Sequence, residues 1–205
     1  MQFPSKLIED AVNAFATLPG IGKKTALRLV MHLLQKELED TKHISDAILK
    51  MRTDIKFCNT CHNLSDDDLC SICTNSYRDK KVICVVENFR DIIAVENTRH
   101  YNGSYHVLGG LISPIDGIGP DKLNIQTLEE RVKNDQIQEI IMALNPTIDG
   151  DTTIFYISKL LNKYEVKITS IARGIAFGGE LEYVDEITLA RSIQSRLPYE
   201  NYLSK

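Results

Sequence analysis

Leu18-Pro19-Gly20-Ile21-Gly22-Lys23-Lys24 decides how the front of this chain folds. Pro19 cannot continue a helix, because its ring removes a backbone donor and clashes with the preceding turn. Gly20 and Gly22 can take backbone angles closed to other residues, so the chain can reverse tightly. Ile21 lies between them and can plug the turn into a core. Apolar residues at helical spacing flank the reversal. They are Leu7, Ile8, Ala11, Val12 and Phe15 before it, and Ala26, Leu29, Val30, Leu33 and Leu34 after it. The spacing predicts helices over residues 5–16, with Ser5 as cap, and over residues 24–38. The second helix starts with unpaired backbone N–H groups and the positive end of its dipole, beside Lys23 and Lys24. Arg28 follows about one turn further on. Such a corner is an anion site shaped for a nucleic-acid phosphate.

Two other readings of the stretch are available. Gly22-Lys23-Lys24-Thr25 looks like the tail of a nucleotide-binding P-loop. That loop needs Gly-x-x-x-x-Gly-Lys-[Ser/Thr] after a strand. Here position 17 is Thr, Lys24 intrudes before Thr25 and the upstream segment is helical, so the P-loop is rejected. The plainer alternative is an ordinary turn between helices, with Arg28 a solvated helix charge. Against it stands the whole pattern, apolar-Pro-Gly-Ile-Gly between two amphipathic helices. This is similar to the helix-hairpin-helix motif, which grips DNA backbone without reading sequence. A third helix over residues 44–54, with Ile44, Ala47, Ile48 and Met51 facing inward, completes a small helical unit.

The chain has 205 residues, 43% apolar and 25% charged, with a net charge of −4. It is long enough for one large or two small domains with real cores. No apolar run approaches membrane-spanning length, and Met1-Gln2-Phe3-Pro4-Ser5 does not open a signal peptide, so a cytoplasmic location is expected. Charge is uneven. Residues 1–81 carry a net +1 and residues 82–205 a net −5. DNA contact is therefore expected in the first part, and locally.

Cys58, Cys61, Cys70 and Cys73 form two Cys-x-x-Cys pairs eight residues apart. Each pair can bring two thiolates onto one ion, and together they complete a tetrahedral sulfur shell. Zinc is expected, with iron the minor alternative. All four positions are filled, which leaves no place for a reactive water, so the site reads as structural. His62 could compete as a ligand, but four Cys already satisfy the ion. Cys84, in an apolar run, reads as a buried free thiol.

From residue 81 strands and helices alternate. Strands are predicted at residues 82–86, 106–108, 139–144 and 166–171. Helices are predicted at 89–96, 124–134 and 152–162, with a Gly/Pro/Asp-rich loop at 113–121. This order implies a parallel α/β sheet with functional residues at strand C-terminal ends. One such end carries Glu87. Another carries Asn145-Pro146-Thr147-Ile148-Asp149-Gly150-Asp151. The arrangement resembles the Toprim fold of topoisomerases and primases, where carboxylates hold magnesium for phosphoryl chemistry. Asn145 and Thr147 stand where Toprim enzymes carry metal-binding aspartates. A Toprim scaffold without the full catalytic set is expected, with Glu87, Asp149 and Asp151 keeping the pocket acidic and weak Mg2+ binding open. The alternative is a magnesium-dependent Toprim nuclease or primase. For Asp149 and Asp151 the plain reading is a turn and a helix start. The run before Asp185-Glu186 is similar to a Walker B strand, but it has no Walker A partner. A helix over residues 185–196 closes the chain, and Leu197-Pro198-Tyr199 either frays or docks on a neighbouring subunit.

The expected architecture is α+β and multi-part. It comprises a helix-hairpin-helix unit (1–56), a four-cysteine zinc motif (57–80), a Toprim-like α/β domain (81–172) and a C-terminal tail with a helix (173–205). In this order the parts resemble the bacterial recombination mediator family RecR over essentially the whole chain. The stretches that carry the resemblance are Leu18 to Gly22, the four cysteines, Ser113 to Pro120, Asn145-Pro146-Thr147 and Gly178-Gly179-Glu180-Leu181-Glu182. The resemblance implies a non-catalytic DNA-binding protein that assembles as a ring-shaped tetramer around DNA. With RecO and RecF it would load the RecA recombinase onto strands coated with single-strand-binding protein. It implies that Gly20, Gly22, Lys23, Lys24 and Arg28 form the DNA contact, and that Glu87, Asp149 and Asp151 meet RecO. Related proteins often show Glu where this chain has Asp149 and Asp151. The charge is kept, but the reach is shorter.

Overall fold

Two units, Met1–Ile55 and Lys56–Lys205, make up the computed structural model of the chain. The structure describes residues 3–198, so Tyr199 of the closing stretch lies outside the described residues. The first unit holds helices α1 (Lys6–Phe15), α2 (Lys23–Leu34) and α3 (Leu38–Asp54). Val12, Ala26 and Val30 are buried where α1 meets α2, and Ile8, Phe15, Ile21 and Leu27 pack around them. Ser5 occupies the N-cap of α1, yet its side chain makes no capping bond.

The expected second helix ends four residues early. The chain breaks after Leu34 and restarts at Leu38, where Glu37 has extended angles. No glycine or proline marks this break, so nothing local announced it. α3 buries none of its residues. Ile44, Ile48 and Met51, expected to face inward, are exposed, Ile48 at 58%. The core of this unit lies where α1 meets α2, and no residue of α3 belongs to it.

The second unit begins with a two-stranded antiparallel ribbon, β1 (Lys56–Phe57) and β2 (Leu64–Ser65), followed by the single turn α4 (Ser71–Thr74). The parallel sheet comprises β3 (Asp79–Val86), β4 (Gly103–Val107), β5 (Glu139–Ala143) and β6 (Lys167–Ser170), in the order β4-β3-β5-β6. Its crossovers are α5 (Phe89–Thr98), α6 (Ile125–Asn134) and α7 (Ile148–Leu161). Ile83, Val85, Ile140 and Met142 pack with Leu128 and Val132 of α6 and Ile157 and Leu161 of α7. On the opposite face Cys84, Val86, Tyr105 and Val107 pack with Ile92 of α5. Burial on both faces explains the unbroken apolar run at Val82 to Val86. Cys84 is buried as expected, and burial pushes its thiol up to about 12.

α5 is well capped. Asn88 accepts from the N–H of Arg90, and Asp91 accepts from the N–H of Asn88. The loop at 113–121 is tied at its base by two backbone bonds between Ser113 and Ile118. In the tail, Leu181–Tyr183 forms a 3-10 turn, so the Walker B-like strand is absent from this place. Asp185 instead caps α8 (Glu186–Gln194), accepting from the N–H of Thr188 at 2.8 Å.

Candidate nucleic-acid interface and metal centre

In the first unit the hairpin corner is built from a tight turn and two glycines with different duties. The N–H of Ile21 donates to the carbonyl of Leu18 at 3.1 Å, which closes the reversal. Gly20 has φ +78°, a left-handed angle that a side chain makes costly. Gly22 does not need such freedom. Its φ of −81° and ψ of 163° are ordinary extended values, a correction to the expectation from sequence. Its contribution is open space, for a Cβ placed there would meet no atom within 4 Å. Gly22 is the N-cap of α2, and the first intrahelical bond runs from the N–H of Ala26 to its carbonyl. The N–H groups of Lys23, Lys24 and Thr25 therefore lack helical acceptors and sit beside a residue with no side chain to shield them. Lys23, Lys24 and Arg28 are exposed. The corner can accept a phosphate oxygen by backbone N–H donation and hold its charge with the flanking cations.

In the second unit the four cysteines converge. Their sulfurs lie within 4.8 Å of one another, and among the described residues this is the one group of three or more Cys, His, Asp or Glu placed to hold a metal ion. All four are free thiols, three of them buried. The ribbon supplies the first pair. The N–H of Cys58 donates to the carbonyl of Asn63, and the N–H of His62 donates to the carbonyl of Cys58. The turn of α4 supplies the second pair, with the N–H of Cys70 donating to Cys58 Sγ at 3.3 Å. Hydrogen bonding from Cys61, then Cys73, pulls the Cys70 thiol strongly down, and bonding to Cys70 with burial pushes Cys61 up. A divalent cation with a preference for sulfur fits this shell and would let all four ionise.

His62 is not a fifth candidate. It adopts φ +60°, and its Nε2 sits 2.8 Å from Thr127 Oγ1 on α6. Its ring meets His106 edge to face at 5.2 Å. His106 is fully buried, and burial, with Arg131 nearby, pushes it down to about 3, so it stays neutral. The carbonyl of Cys61 also accepts from the N–H of Val107 at 2.8 Å. The cysteine motif is thus joined to the β4 edge of the sheet through backbone and side chains.

At the C-terminal ends of β3 and β5, neighbouring strands bring Glu87 beside Asn145. The Asn145 amide donates from Nδ2 to Glu87 Oε2 at 3.1 Å. An aspartate in that place would set two negative charges together and call for a cation; the amide satisfies the glutamate without one. Thr147 is used as the N-cap of α7, accepting from the N–H of Gly150 at 3.0 Å. Gly150 is required by close approach, because a Cβ there would lie 2.0 Å from the Asn145 carbonyl oxygen.

Asp149 and Asp151 belong to the first turn of α7, which starts four residues earlier than expected. Their plain reading as helix-start residues holds in position. Asp151 has a further tie that sequence did not show. Arg173 Nη1 donates to Asp151 Oδ2 at 3.2 Å, its other nitrogen makes a still closer contact, and Arg191 lies 3.9 Å away. Hydrogen bonding from Arg173 holds this carboxyl below its ordinary value. Glu87, Asp149 and Asp151 do not converge as a three-ligand set among the described residues. The separation of 22 positions from Asp151 to Arg173 hides the pairing from any periodicity.

A cysteine shell ready for a metal, a hairpin open to phosphate and a four-stranded parallel sheet define a multi-part zinc-finger and helix-hairpin-helix protein on an α/β scaffold. Family comparisons agree segment by segment. The RecR helix-hairpin-helix matches residues 8–52, the RecR four-cysteine zinc finger domain 55–75, the Toprim domain 81–172 and the RecR C-terminal family 174–196. Recombination protein RecR of Cytophaga hutchinsonii is 58% identical over 201 residues, covering 98% of each chain. That of Flavobacterium johnsoniae is 59% identical over 200 residues, covering 98% of this chain and 97% of the relative. That of Amoebophilus asiaticus is 58% identical over 199 residues, covering 97% and 100%. The chain belongs to the RecR family of recombination proteins.

Proposed function

We propose that this protein is a non-catalytic mediator of recombination that binds nucleic-acid backbone through the hairpin corner. One observation carries the reading. Exposed Lys23, Lys24 and Arg28 surround a helix start whose cap, Gly22, leaves open space. The amide of Asn145 against Glu87 supports the non-catalytic part, since the sheet ends lack a converging set of carboxylates among the described residues.

One subunit offers two or three cations near the corner, too few for tight binding. Several subunits facing one duplex multiply phosphate contacts and raise avidity without new chemistry. The proposed assembly is a ring-shaped tetramer. Its support is the exposed apolar surface of α3 and of the tail, where Phe177, Tyr183 and Ile187 are uncovered. In this reading the protein works with RecO and RecF to load RecA, with Glu87, Asp149 and Asp151 at the partner surface. Asp149 is the freest of the three, since its carboxylate has no hydrogen-bond or ion-pair partner among the described residues. Zinc is the metal proposed for the cysteine shell.

The test is the double substitution Lys23→Ala with Lys24→Ala, read by fluorescence anisotropy on several DNA sequences across a salt series. Affinity should fall about equally on all sequences, and the log–log salt slope should flatten by about 0.9 for each phosphate no longer neutralised. Unchanged affinity and slope would remove the hairpin assignment. Solution mass with and without DNA checks the tetramer.

A further inference from the structure

The C-terminal half contains a cationic cavity that the hairpin reading does not use. About 810 Å³ in volume, it lies between α7, the end of β6 with the loop after it, and α8. Arg173, Arg191 and Arg196 line it, and they are the only basic residues between positions 173 and 198. Residues 82–205, these three arginines included, are acidic overall, with a net −5. Against three guanidinium groups the cavity wall sets one carboxylate, Asp151, which engages Arg173 and lies 3.9 Å from Arg191. Two positive charges are left over.

Ser192 lines the same cavity. Its Oγ is buried and has no hydrogen-bond partner, one of two side-chain polar atoms in that state among the described residues. A buried hydroxyl without a partner is costly, and with no bond to hold it the Ser192 side chain can change rotamer to meet a ligand oxygen in the cavity. Ile154 and Ile171 add apolar wall.

We infer that this cavity binds the phosphate of a nucleotide unit. Phosphate offers three terminal oxygens and up to two negative charges, which suits Arg191, only loosely paired with Asp151 at 3.9 Å, Arg196, which donates to the Ile193 carbonyl through Nη1 alone, and a hydroxyl. A carboxylate has one charge and two oxygens, and the cavity already holds one. The volume exceeds what an inorganic phosphate fills and falls within the usual range for a small-molecule site. The apolar wall gives a sugar or base a surface. The nucleotide unit is either a free mononucleotide or the 5′-terminal nucleotide of a strand, and both present the same group.

The experiment uses the full chain carrying Lys23→Ala and Lys24→Ala, so that loss of hairpin binding cannot be confused with loss of this site. Calorimetry follows titration with dADP, and anisotropy follows an octathymidylate bearing either a 5′-phosphate or a 5′-hydroxyl. Saturable dADP binding, or preference for the 5′-phosphate strand, is expected, and which of the two dominates names the source. Arg191→Gln with Arg196→Gln should weaken the effective probe by about tenfold or more. Ser192→Ala is the second variant. It should weaken binding severalfold while leaving thermal stability of the unliganded protein equal or higher, because the deleted hydroxyl has no partner to lose. The inference is overturned if no phosphate probe saturates below about 10 mM, or if the arginine variant, shown folded by its thermal transition, binds as the parent does.

Discussion

Asn145→Asp restores a carboxylate where the Toprim enzymes carry one, and the structure sets the cost. The wild-type amide stands 3.1 Å from Glu87 Oε2. The substitution removes that bond to a charged acceptor and replaces attraction with repulsion. Two unit charges about 4 Å apart repel by about 1 kcal/mol in water and about 4 kcal/mol at an effective dielectric of about 20. Glu87 is half-buried and Asn145 exposed, so the site falls between these limits. A loss of about 2 kcal/mol is expected once the hydrogen bond is included. For a unit of this size that is a fall of about 4–8 °C in melting temperature. Asn145→Ser, which deletes the bond without adding charge, should cost less than about 1 kcal/mol. Thermal unfolding is measured in EDTA and again in MgCl2, with ionic strength matched by KCl. The aspartate variant should recover part of its loss in magnesium, while the wild type should not respond. The reasoning fails if the variant is as stable as wild type in EDTA, or if wild type gains as much from magnesium as the variant does.

Cys58→Ala should abolish zinc binding and lower solubility, with no loss of a chemical step. Metal content by mass spectrometry reads the first effect, and faster hydrogen exchange at Val107, whose N–H donates to Cys61, reads the spread into the sheet; a folded, metal-free variant would contradict a structural role. Gly20→Ala should destabilise the first unit by about 1–2 kcal/mol through its left-handed backbone angle, whereas Gly22→Ala should change stability by only about a few tenths of a kcal/mol. Denaturant unfolding of the two variants compares them, and equal costs would show that the glycines share one duty after all.

Much of the site could be read from local spacing. The four cysteines lie in short pairs, and two tight turns can only bring such pairs together, so the shell was visible in the sequence. The hairpin was visible because Pro19 and Gly20 constrain the backbone whatever surrounds them. The parallel sheet showed itself as apolar runs buried on both faces. Local pattern failed where no breaker marks a boundary, as between Leu34 and Leu38. It also left some uses open that the structure settles: His62 turns away to Thr127, and Asp185 is the cap of the helix expected from residue 185.

The sequence by itself determined where most helices, strands and turns lie, though not every boundary, and which thiols gather, because those outcomes depend mainly on neighbours within a few residues. Only the tertiary structure decided which polar groups meet. Asn145 reaches Glu87 across 58 positions, and Asp151 reaches Arg173 across 22. Strand order sets those distances, and a carboxylate has no local preference among the cations a chain offers it. Packing likewise brings Arg173, which follows β6, together with Arg191 and Arg196 of α8 and its end around one cavity, a charge concentration invisible in a half of the chain whose sum is negative.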